Sequence, residues 1–439
     1  MQGLKKIWQE KMVSGALQFV VFIGVVVAVL LAAFVMLVAT RTFFKKQSGM
    51  VTEAVRTAGY GIAYALSETL PLQDSVNLEF PETPYKNLKV AVNYWGVLEK
   101  TAAVAQVKNK KFTRLALVGG YTYPSERPAL YLKDNHRPLV VVGHTRIQGK
   151  TFLPEAGIKT GNISGHSYYG GALTDGKTGQ STSALPDLPE ALSEHLAALS
   201  RGHYTWDEKY IVSPKPGQLY GNSFSEETRY IYAPGVLRLQ GLKLRGNIAI
   251  YSGERIVVDK STVLKDVLLV APEIEISDGT RGTFQAIATK SIRAGEQCEF
   301  GYPSALVVWE NEEQTTGSNT INYSGEDTQQ VTNGITVGKG SVLKGVVLFK
   351  GAEKENNYTP QVVIDEGVRL YGELYCNQNT ELKGKVSGGV YTGNFIAMQA
   401  GSIYQNHLYD AVITADELVP EYVGLLMENR EKGVAKWLY

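Results

Sequence analysis

Two nearly identical stretches of nine residues constrain the fold of this chain more than any other feature. TVLKDVLLV begins at Thr262 and SVLKGVVLF begins at Ser341. Further, weaker copies can be aligned when the flanking residues are included. The first two aligned copies begin at Val258 and Ile276, which are 18 residues apart. A repeat of this length is typical of a coil in which the inward side chains of one turn stack on equivalent side chains above and below.

A later step in the same alignment is longer, because Ile364 follows Val337 by 27 residues. The nine additional residues match a polar stretch, GAEKENNYT, at residues 351–359. We therefore expect an insertion that leaves the core of the coil and returns to it.

Two columns of the alignment carry residue types with a structural meaning. One column is apolar and has Gly282 as its exception, and the other, two residues later, is glycine. The apolar column contains Leu244, Leu264, Leu343 and Leu370, and the glycine column contains Gly246, Gly345 and Gly372. Apolar ladders inside the coil and corners that need a positive φ explain both columns. The sequence therefore predicts a parallel β-helix over residues 226–415 of a mainly β protein.

A long uncharged segment near the N-terminus predicts a membrane anchor. The 21 residues from Phe19 to Ala39 contain no charge, and at about 1.5 Å per residue they span a hydrocarbon layer of roughly 30 Å. We predict a transmembrane helix over residues 16–40, a basic leader or cytoplasmic tail over 1–15 and a helical stalk over 41–71. A cleaved signal peptide is the alternative, although its apolar region is normally shorter. Basic residues flank the span equally, so charge does not decide its orientation.

The leader, a glycine at Gly15 and the apolar helix with its amphipathic extension resemble the N-terminus of minor pseudopilins. In that family the glycine precedes the site at which a peptidase removes the leader. The glutamate that usually follows five residues later is absent, because Val20 stands there. An ordinary single-pass anchor with a stalk is the other interpretation.

The remaining segments are less regular. Residues 72–225 predict a β-rich domain with a polar hairpin near Asn109 and a helical insertion near residues 189–200. The run RPLVVVGHTRIQGKTFLPEAGIKTG, which begins at Arg137, has coil-like spacing and is an alternative, earlier start of the β-helix. Residues 416–439 predict a C-terminal helix that either caps the coil or docks a partner.

Charge and cysteine content restrict the partners and the chemistry. The chain has 44 Lys and Arg residues against 43 Asp and Glu residues, so nucleic acid is not an expected partner. The two cysteines, Cys298 and Cys376, fall in columns eight residues apart, too far around the coil for a bridge. We expect both to be buried free thiols.

No catalytic or metal-binding motif is recognised, so the predicted site residues and cofactors are none. Asp259, Asp278 and Asp365 lie at coil corners, where a role in the turn is favoured over general acid-base catalysis. The six histidines do not have metal-ligand spacing on one predicted element. They are His136, His144, His166, His195, His203 and His407.

The phrases LKDVLLVAPEIEISDG, YCNQNTELKGKV and SIYQNHLYDAVI look like those of uncharacterised bacterial envelope proteins with one N-terminal membrane helix and a β-rich ectodomain. A looser similarity to bactofilins depends on the short repeated β runs. The resemblance implies only this architecture and a bacterial origin. Together with the lack of a catalytic motif, it leads us to expect a non-enzymatic, single-pass protein of the bacterial inner membrane with a large extracytoplasmic domain. Other envelope or pilus-like subunits are the expected partners, and self-association is a further one. The alternatives are a pseudopilin-like subunit of a pilus or secretion machine and a carbohydrate-active β-helix enzyme.

Overall fold

The computed structural model describes residues 3–72, 74–202, 207–310, 333–354, 357–399, 401–428 and 430–438, with side chains from Gly15 onward. The helices are α1 Gly3–Ser67 and α2 Glu190–Ser200, and two 3-10 turns cover Pro124–Glu126 and Glu208–Tyr210. The first strands are β1 Ser75–Leu78, β2 Lys86–Trp95, β3 Leu98–Val107, β4 Lys110–Tyr121, β5 Pro128–Leu132, β6 Leu139–Val142, β7 Arg146–Gln148, β8 Lys150–Leu153, β9 Ile158–Thr160, β10 Asn162–Ile163, β11 His166–Ser167 and β12 Thr178–Gln180. The next are β13 Leu219–Asn222, β14 Arg229–Ala233, β15 Leu237–Leu239, β16 Lys243–Gly246, β17 Ile248–Ser252, β18 Arg255–Val258, β19 Val263–Ile276, β20 Arg281–Ala294, β21 Glu299–Trp309, β22 Gly334–Val337 and β23 Val342–Lys350. The last are β24 Val362–Ile364, β25 Arg369–Leu382, β26 Lys385–Gln399, β27 Ser402–Gln405, β28 His407–Tyr409, β29 Val412–Thr414, β30 Val423–Gly424 and β31 Glu431–Leu438.

Strands hold 50% of the residues and helices 18%, so the prediction of a mainly β protein is confirmed. Most strands from β5 onward belong to one closed sheet. Its pairings are parallel, apart from β27, which is antiparallel to β26. Each turn of the chain therefore places its strands beside those of the next turn.

The predicted apolar ladder lies in register inside this sheet. Leu264 pairs with Leu244 on one side, and Leu343 pairs with Leu370, each of these four leucines being 1% exposed. Phe300, Val386, Ile413 and Ile147 continue the same column at the intervening and later rungs. The sequence repeat therefore has a structural cause, because equivalent positions in successive turns pack against each other in one apolar core.

The exception at Gly282 has a steric reason. A Cβ at this position would lie 3.1 Å from the ring of Phe284 and 2.9 Å from the carbonyl oxygen of Leu264. The Phe284 ring packs edge-on against Phe300, with the ring centroids 5.3 Å apart. A neighbouring aromatic side chain thus occupies the volume that a leucine fills in the other turns.

The glycine column also behaves as predicted, because all three of its members have positive φ. At Gly372 φ is +148°, and a Cβ there would lie 1.9 Å from the carbonyl oxygen of Gly345. Gly345 and Gly372 are register partners, so successive backbones approach each other at the same corner. No other residue type fits such an approach without moving a strand.

Residues 351–354 and 357–359 of the predicted insertion lie outside the strands, since β23 ends at Lys350 and β24 begins at Val362. In the column that contains Val258 and Ile276, the next partner is Ala294, which the repeat alignment did not include. Ala294 then pairs with Val337. The sequence between these two partners is longer than one repeat because it includes residues 311–332, which lie outside the described residues.

The order of turns along the stack differs from the order of the sequence. Strand β5 pairs with β26 and β7 pairs with β29, so residues from 128 onward lie next to turns formed by residues 385–414. The stack continues from β5 to β8 and β12, while β13, β14 and β15 form the first turn of the repeats that follow. Within the run that begins at Arg137, β7 and β8 therefore join the closed sheet, but not in front of the first repeat, whereas β6 and β9 form a separate three-stranded sheet with β28.

This non-sequential junction predicts a specific cross-link. Arg146 and Val412 are register partners on neighbouring parallel strands, which lie about 4.8 Å apart. Cysteines at both positions are expected to form a disulfide in the full-length protein, because this spacing suits a disulfide. Non-reducing electrophoresis would show the cyclised chain as a faster band. The control is the double variant Arg146→Cys, Arg281→Cys, because position 281 is several turns away along the stack. Equal cross-linking of both pairs would contradict the junction.

Helix α1 is continuous from the leader region through the predicted span and stalk, and it ends at Ser67, four residues before Pro71. Its buried stripe consists of Ala54, Ala58, Ile62 and Ala65. Val51 lies on the same helix face one turn before Ala54 and is 45% exposed, so the buried stripe begins at Ala54.

Strands β1 to β4 form a sheet in chain order, with a tight connection at Lys108 and Asn109 as predicted. Strand β31 adds to this sheet, antiparallel to β4. The predicted C-terminal helix over residues 416–439 is therefore wrong. Gly433 weakens helix formation in this segment, and β4 offers an edge whose backbone groups β31 satisfies.

A second apolar cluster covers the outer face of the parallel strands. Helix α2 lies where a helical insertion was predicted, and it packs against β19, β20 and β21. Its buried residues Leu192 and Leu196 join Val270, Ile287 and Val307 in this cluster. The strands in the middle of the stack are thus apolar on both faces, which explains runs such as VLKDVLLV that do not alternate.

Candidate functional site

The first functional feature is the apolar part of α1. Large apolar side chains between Leu17 and Val38 are 40% to 72% exposed, with the lowest value at Val26 and the highest at Met36. By length and composition, the helix is long and apolar enough to cross a membrane. This agrees with a single-pass anchor over Phe19 to Ala39.

The three predicted corner aspartates all accept hydrogen bonds from backbone N–H groups. Asp259 accepts a hydrogen bond from the Ser261 backbone N–H at 2.9 Å, and contacts from the Ser261 hydroxyl and this N–H lower the pKa of Asp259. Asp278 accepts from the Glu296 N–H at 2.8 Å, and Asp365 accepts from the Glu366 N–H at 3.1 Å. Asp259 and Asp365 thus bond within their own corners, and Asp278 bonds to the neighbouring turn of the stack.

The cysteines are buried and free, as predicted. Burial raises the pKa of Cys376 to about 12, so this thiol stays protonated at neutral pH. Within the described ranges, no group of three or more His, Cys, Asp or Glu side chains could hold a metal ion. His203 lies outside the described residues.

The most elaborate polar arrangement is a buried ionic cluster that was not found from the sequence. The Glu373 carboxylate on β25 accepts from the Arg430 guanidinium at 2.6 Å and from the Leu425 backbone N–H at 2.8 Å. Only 5% of the Glu373 side chain and 10% of the Arg430 side chain is exposed. We call Glu373, Arg430 and the segment between Leu418 and Arg430 the C-terminal clasp.

Tyrosines and a second arginine complete the C-terminal clasp. Tyr302 donates to the carbonyl oxygen of Val423 at 2.8 Å, and Tyr422 donates to that of Gly345 at 3.0 Å. Arg127, which is 4% exposed, donates to the carbonyl oxygens of three consecutive residues, Leu418, Val419 and Pro420. The clasp therefore binds an irregular segment to the outer face of the parallel strands through buried, charge-assisted hydrogen bonds.

The last strand is held by ion pairs at its lysines. Lys432 contacts Glu99 at 2.9 Å, and Lys436 contacts Asp266 at 2.5 Å. The Arg114 guanidinium lies 4.1 Å from the ring centroid of Trp437. Both carboxylates are largely buried, so β31 joins β3 to β19 by partly desolvated charge pairs.

His195 on α2 is a partly buried titratable group. Its ring stacks on Tyr94 at 5.0 Å between centroids, and its Nε2 has no hydrogen-bond partner among the described residues. Burial lowers the pKa of His195 to about 4, because the charged imidazolium loses its hydration.

His195 therefore predicts a pH dependence of stability. An unfolded histidine binds a proton below about pH 6.5 whereas folded His195 resists it until about pH 4, so its contribution to stability falls as the pH is lowered between these values. The variant His195→Phe keeps the ring and cannot titrate. We expect the free energy of unfolding of the wild type, relative to this variant, to be constant above pH 6.5 and to decrease between pH 6.5 and pH 4. A pH-independent difference in denaturant titrations would contradict the buried neutral histidine.

Comparisons with protein-family models, curated proteins and solved structures found no match to this chain.

The sequence contained one weak signal for the clasp. Glu373 interrupts the otherwise uncharged stretch LYGELYC at a position whose register partner Val346 is apolar. A lone charge in a buried strand indicates a partner elsewhere, but nothing in the local pattern identifies Arg430 as that partner.

Proposed function

We propose that this chain is a non-enzymatic, membrane-anchored structural subunit of a bacterial envelope assembly. In this proposal Phe19 to Ala39 cross the inner membrane, and the stacked turns form a parallel β-helix that is displayed outside the cytoplasm. Other envelope or pilus-like subunits, or further copies of the chain, bind to it.

The observation that supports the proposal most is the exposed apolar surface of α1. Contiguous apolar patches larger than a few hundred Å² are rare on soluble monomers, and this segment presents its apolar side chains all around the helix. Lipid removes that surface from water, so the segment acts as an anchor.

A structural role for the ectodomain is supported by the way its polar groups are used. The corner aspartates bond to backbone N–H groups, and Glu373 bonds to Arg430 and Leu425. These groups hold the fold together. In-register ladders make each turn support the next, which suits a rigid surface for assembly.

Charges placed in the middle of the anchor test the membrane proposal. The double variant Leu30→Lys, Leu31→Lys is expected to move the protein from the carbonate-resistant membrane fraction to the soluble fraction, because each lysine costs about 2.5–3.5 kcal/mol at the helix centre. Phe43→Lys, Phe44→Lys is the matched control, since these exposed side chains lie beyond the span. Retention of the first variant in the membrane would contradict the proposal.

Partner binding is tested by purification of the detergent-extracted full-length protein from cells after brief cross-linking. We expect defined envelope subunits, or multimers of this chain, in the cross-linked bands. An impermeant maleimide should label the Glu366→Cys variant in intact spheroplasts if the ectodomain is extracytoplasmic. A monomer without any cross-linked band, or a Glu366→Cys variant that is labelled only after lysis, would contradict the corresponding part of the proposal.

The second candidate is a pseudopilin-like subunit, which is favoured by the unbroken run of α1 through Gly15 into the apolar segment. In that case a prepilin peptidase removes residues 1–15. Mass spectrometry of the mature protein separates the two candidates, because an intact N-terminus excludes processing at Gly15.

A further inference from the structure

A polar cleft lies where the early and late segments of the parallel stack meet. It has a volume of about 490 Å³ and collects residues from three parts of the chain, around positions 133–137, 353–379 and 393–406. Its lining is dominated by side-chain carboxamides. They are Asn135, Asn357, Asn377, Gln378, Asn379, Asn394, Gln405 and Asn406.

The carboxamides are held in place by a ladder across successive turns. Asn394 donates to the side-chain oxygen of Asn379 at 3.3 Å, and Asn135 donates to the side-chain oxygen of Asn394 at 2.8 Å. Asn379 also donates to the backbone oxygens of Asn357 and Thr359. Because each carboxamide both donates and accepts, a fixed row of them presents an ordered set of hydrogen-bonding groups to a ligand.

One buried hydrogen-bond acceptor among the residues that line the cleft lacks a donor. Asn406 is 3% exposed, and its Nδ2 donates to the backbone oxygens of Arg137 and Pro138 at 3.2 and 2.9 Å. Its Oδ1 has no hydrogen-bond partner among the described residues. A buried acceptor without a donor is costly, and a hydroxyl group supplied from the cleft would satisfy it.

The cations around the cleft differ in their partners. Lys133 pairs with Glu353 at 2.5 Å, and Lys354 pairs with Glu310 at 3.2 Å. Arg137 instead contacts the neutral Gln405 side chain, and no carboxylate of the described residues forms an ion pair with it. A guanidinium on a polar wall is suited to bidentate binding of a carboxylate.

One aromatic ring completes the cleft. Tyr358 lines it and is 44% exposed, so part of its ring is available for stacking. Sugar rings present apolar C–H faces and hydroxyl edges, which match an aromatic ring beside carboxamides.

From these groups we infer that the cleft binds an acidic oligosaccharide of the uronate type. The carboxamides bind its hydroxyl groups, Tyr358 stacks on a sugar face, and Arg137 binds its carboxylate. Among the described lining residues, Glu353 is the single carboxylate and is paired with Lys133, whereas glycoside hydrolysis generally uses two carboxylates. In this inference the cleft binds the oligosaccharide and so holds an envelope or extracellular polysaccharide on the scaffold.

The test uses full-length protein in detergent, titrated calorimetrically with trigalacturonate and, separately, with the neutral trisaccharide cellotriose. We expect saturable binding of trigalacturonate with a Kd at least ten times lower than that of cellotriose. Arg137→Ala is expected to raise the Kd for trigalacturonate about tenfold or more, which is typical for loss of a charge-assisted hydrogen-bonded pair. Tyr358→Ala should raise it several-fold.

Arg281→Ala is the matched control, because the Arg281 side chain is 74% exposed and pairs with Glu299 away from the cleft. It should bind like the wild type, and thermal melts should show that all variants are folded. Absence of saturable trigalacturonate binding at millimolar concentration would overturn the inference. Equal affinity for the two trisaccharides, or unchanged binding by Arg137→Ala, would overturn the assignment of Arg137. None of these outcomes depends on membrane anchoring, so this test is separate from that of the proposed function.

Discussion

Replacing Glu373 with glutamine is expected to lower the free energy of unfolding by about 3–5 kcal/mol, the usual cost of breaking a buried ion pair from one side. The variant keeps the shape of the side chain but leaves the buried Arg430 guanidinium without a counter-charge. It also weakens the acceptor for the Leu425 N–H. Denaturant titration of the full-length protein in detergent, followed by intrinsic fluorescence, measures the change.

An exposed pair provides the control for this substitution. Glu366 lies 3.2 Å from Lys339, and 68% and 54% of their side chains are exposed. Glu366→Gln is expected to change the free energy of unfolding by less than about 1 kcal/mol, because water already solvates both charges. If both variants lose the same amount, the clasp is not a buried ion pair. The double variant Glu373→Gln, Arg430→Met should recover part of the loss, since it removes the uncompensated charge.

Truncation of Phe300 to alanine is expected to destabilise the protein by about 3–5 kcal/mol. Phe300 is 2% exposed, occupies the leucine column and packs edge-on against Phe284 beside Gly282. The cavity lies between two turns that are in register on both sides, so the backbone has little freedom to close it. The same denaturant titration measures the effect.

Phe112→Ala is the matched control, because the same atoms are removed from a side chain that is 36% exposed. Its effect should be clearly smaller, since surface substitutions usually change stability by no more than about 0.5 kcal/mol. Equal losses at Phe112 and Phe300 would mean that the column is not a packed core. Such a result would also remove the physical basis of the sequence repeat.

The repeat made several elements predictable. Leu264, Leu343 and Leu370 are buried in one column, and the recurring glycines adopt positive φ, because each position is repeated at a spacing that brings it above its copy. The polar insertion at residues 351–359 could be recognised because it lengthens the distance between two copies of the repeat. The long apolar helix could be predicted because twenty-one consecutive uncharged residues are enough to span a bilayer as a helix.

The C-terminal segment shows where such reasoning fails. ELVPEYVGLLMENREKGVAKWLY contains many helix-forming residues, and local propensity favours a helix. In the structure this segment includes β31, because its pairing with β4, its lysine ion pairs and the burial of Arg430 against Glu373 outweigh a propensity of a few tenths of a kcal/mol per residue.

By itself, the sequence determined the long apolar helix, the repeat length and the identity of the residues that face the apolar interior, since all three depend on local spacing and hydrophobicity. The tertiary structure alone decided that residues from 128 onward stack on residues 385–414, that the C-terminal segment is a clasp and that the carboxamides form one cleft. These features join residues more than two hundred positions apart, and the free energy of such contacts comes from surfaces that exist only after the turns have stacked.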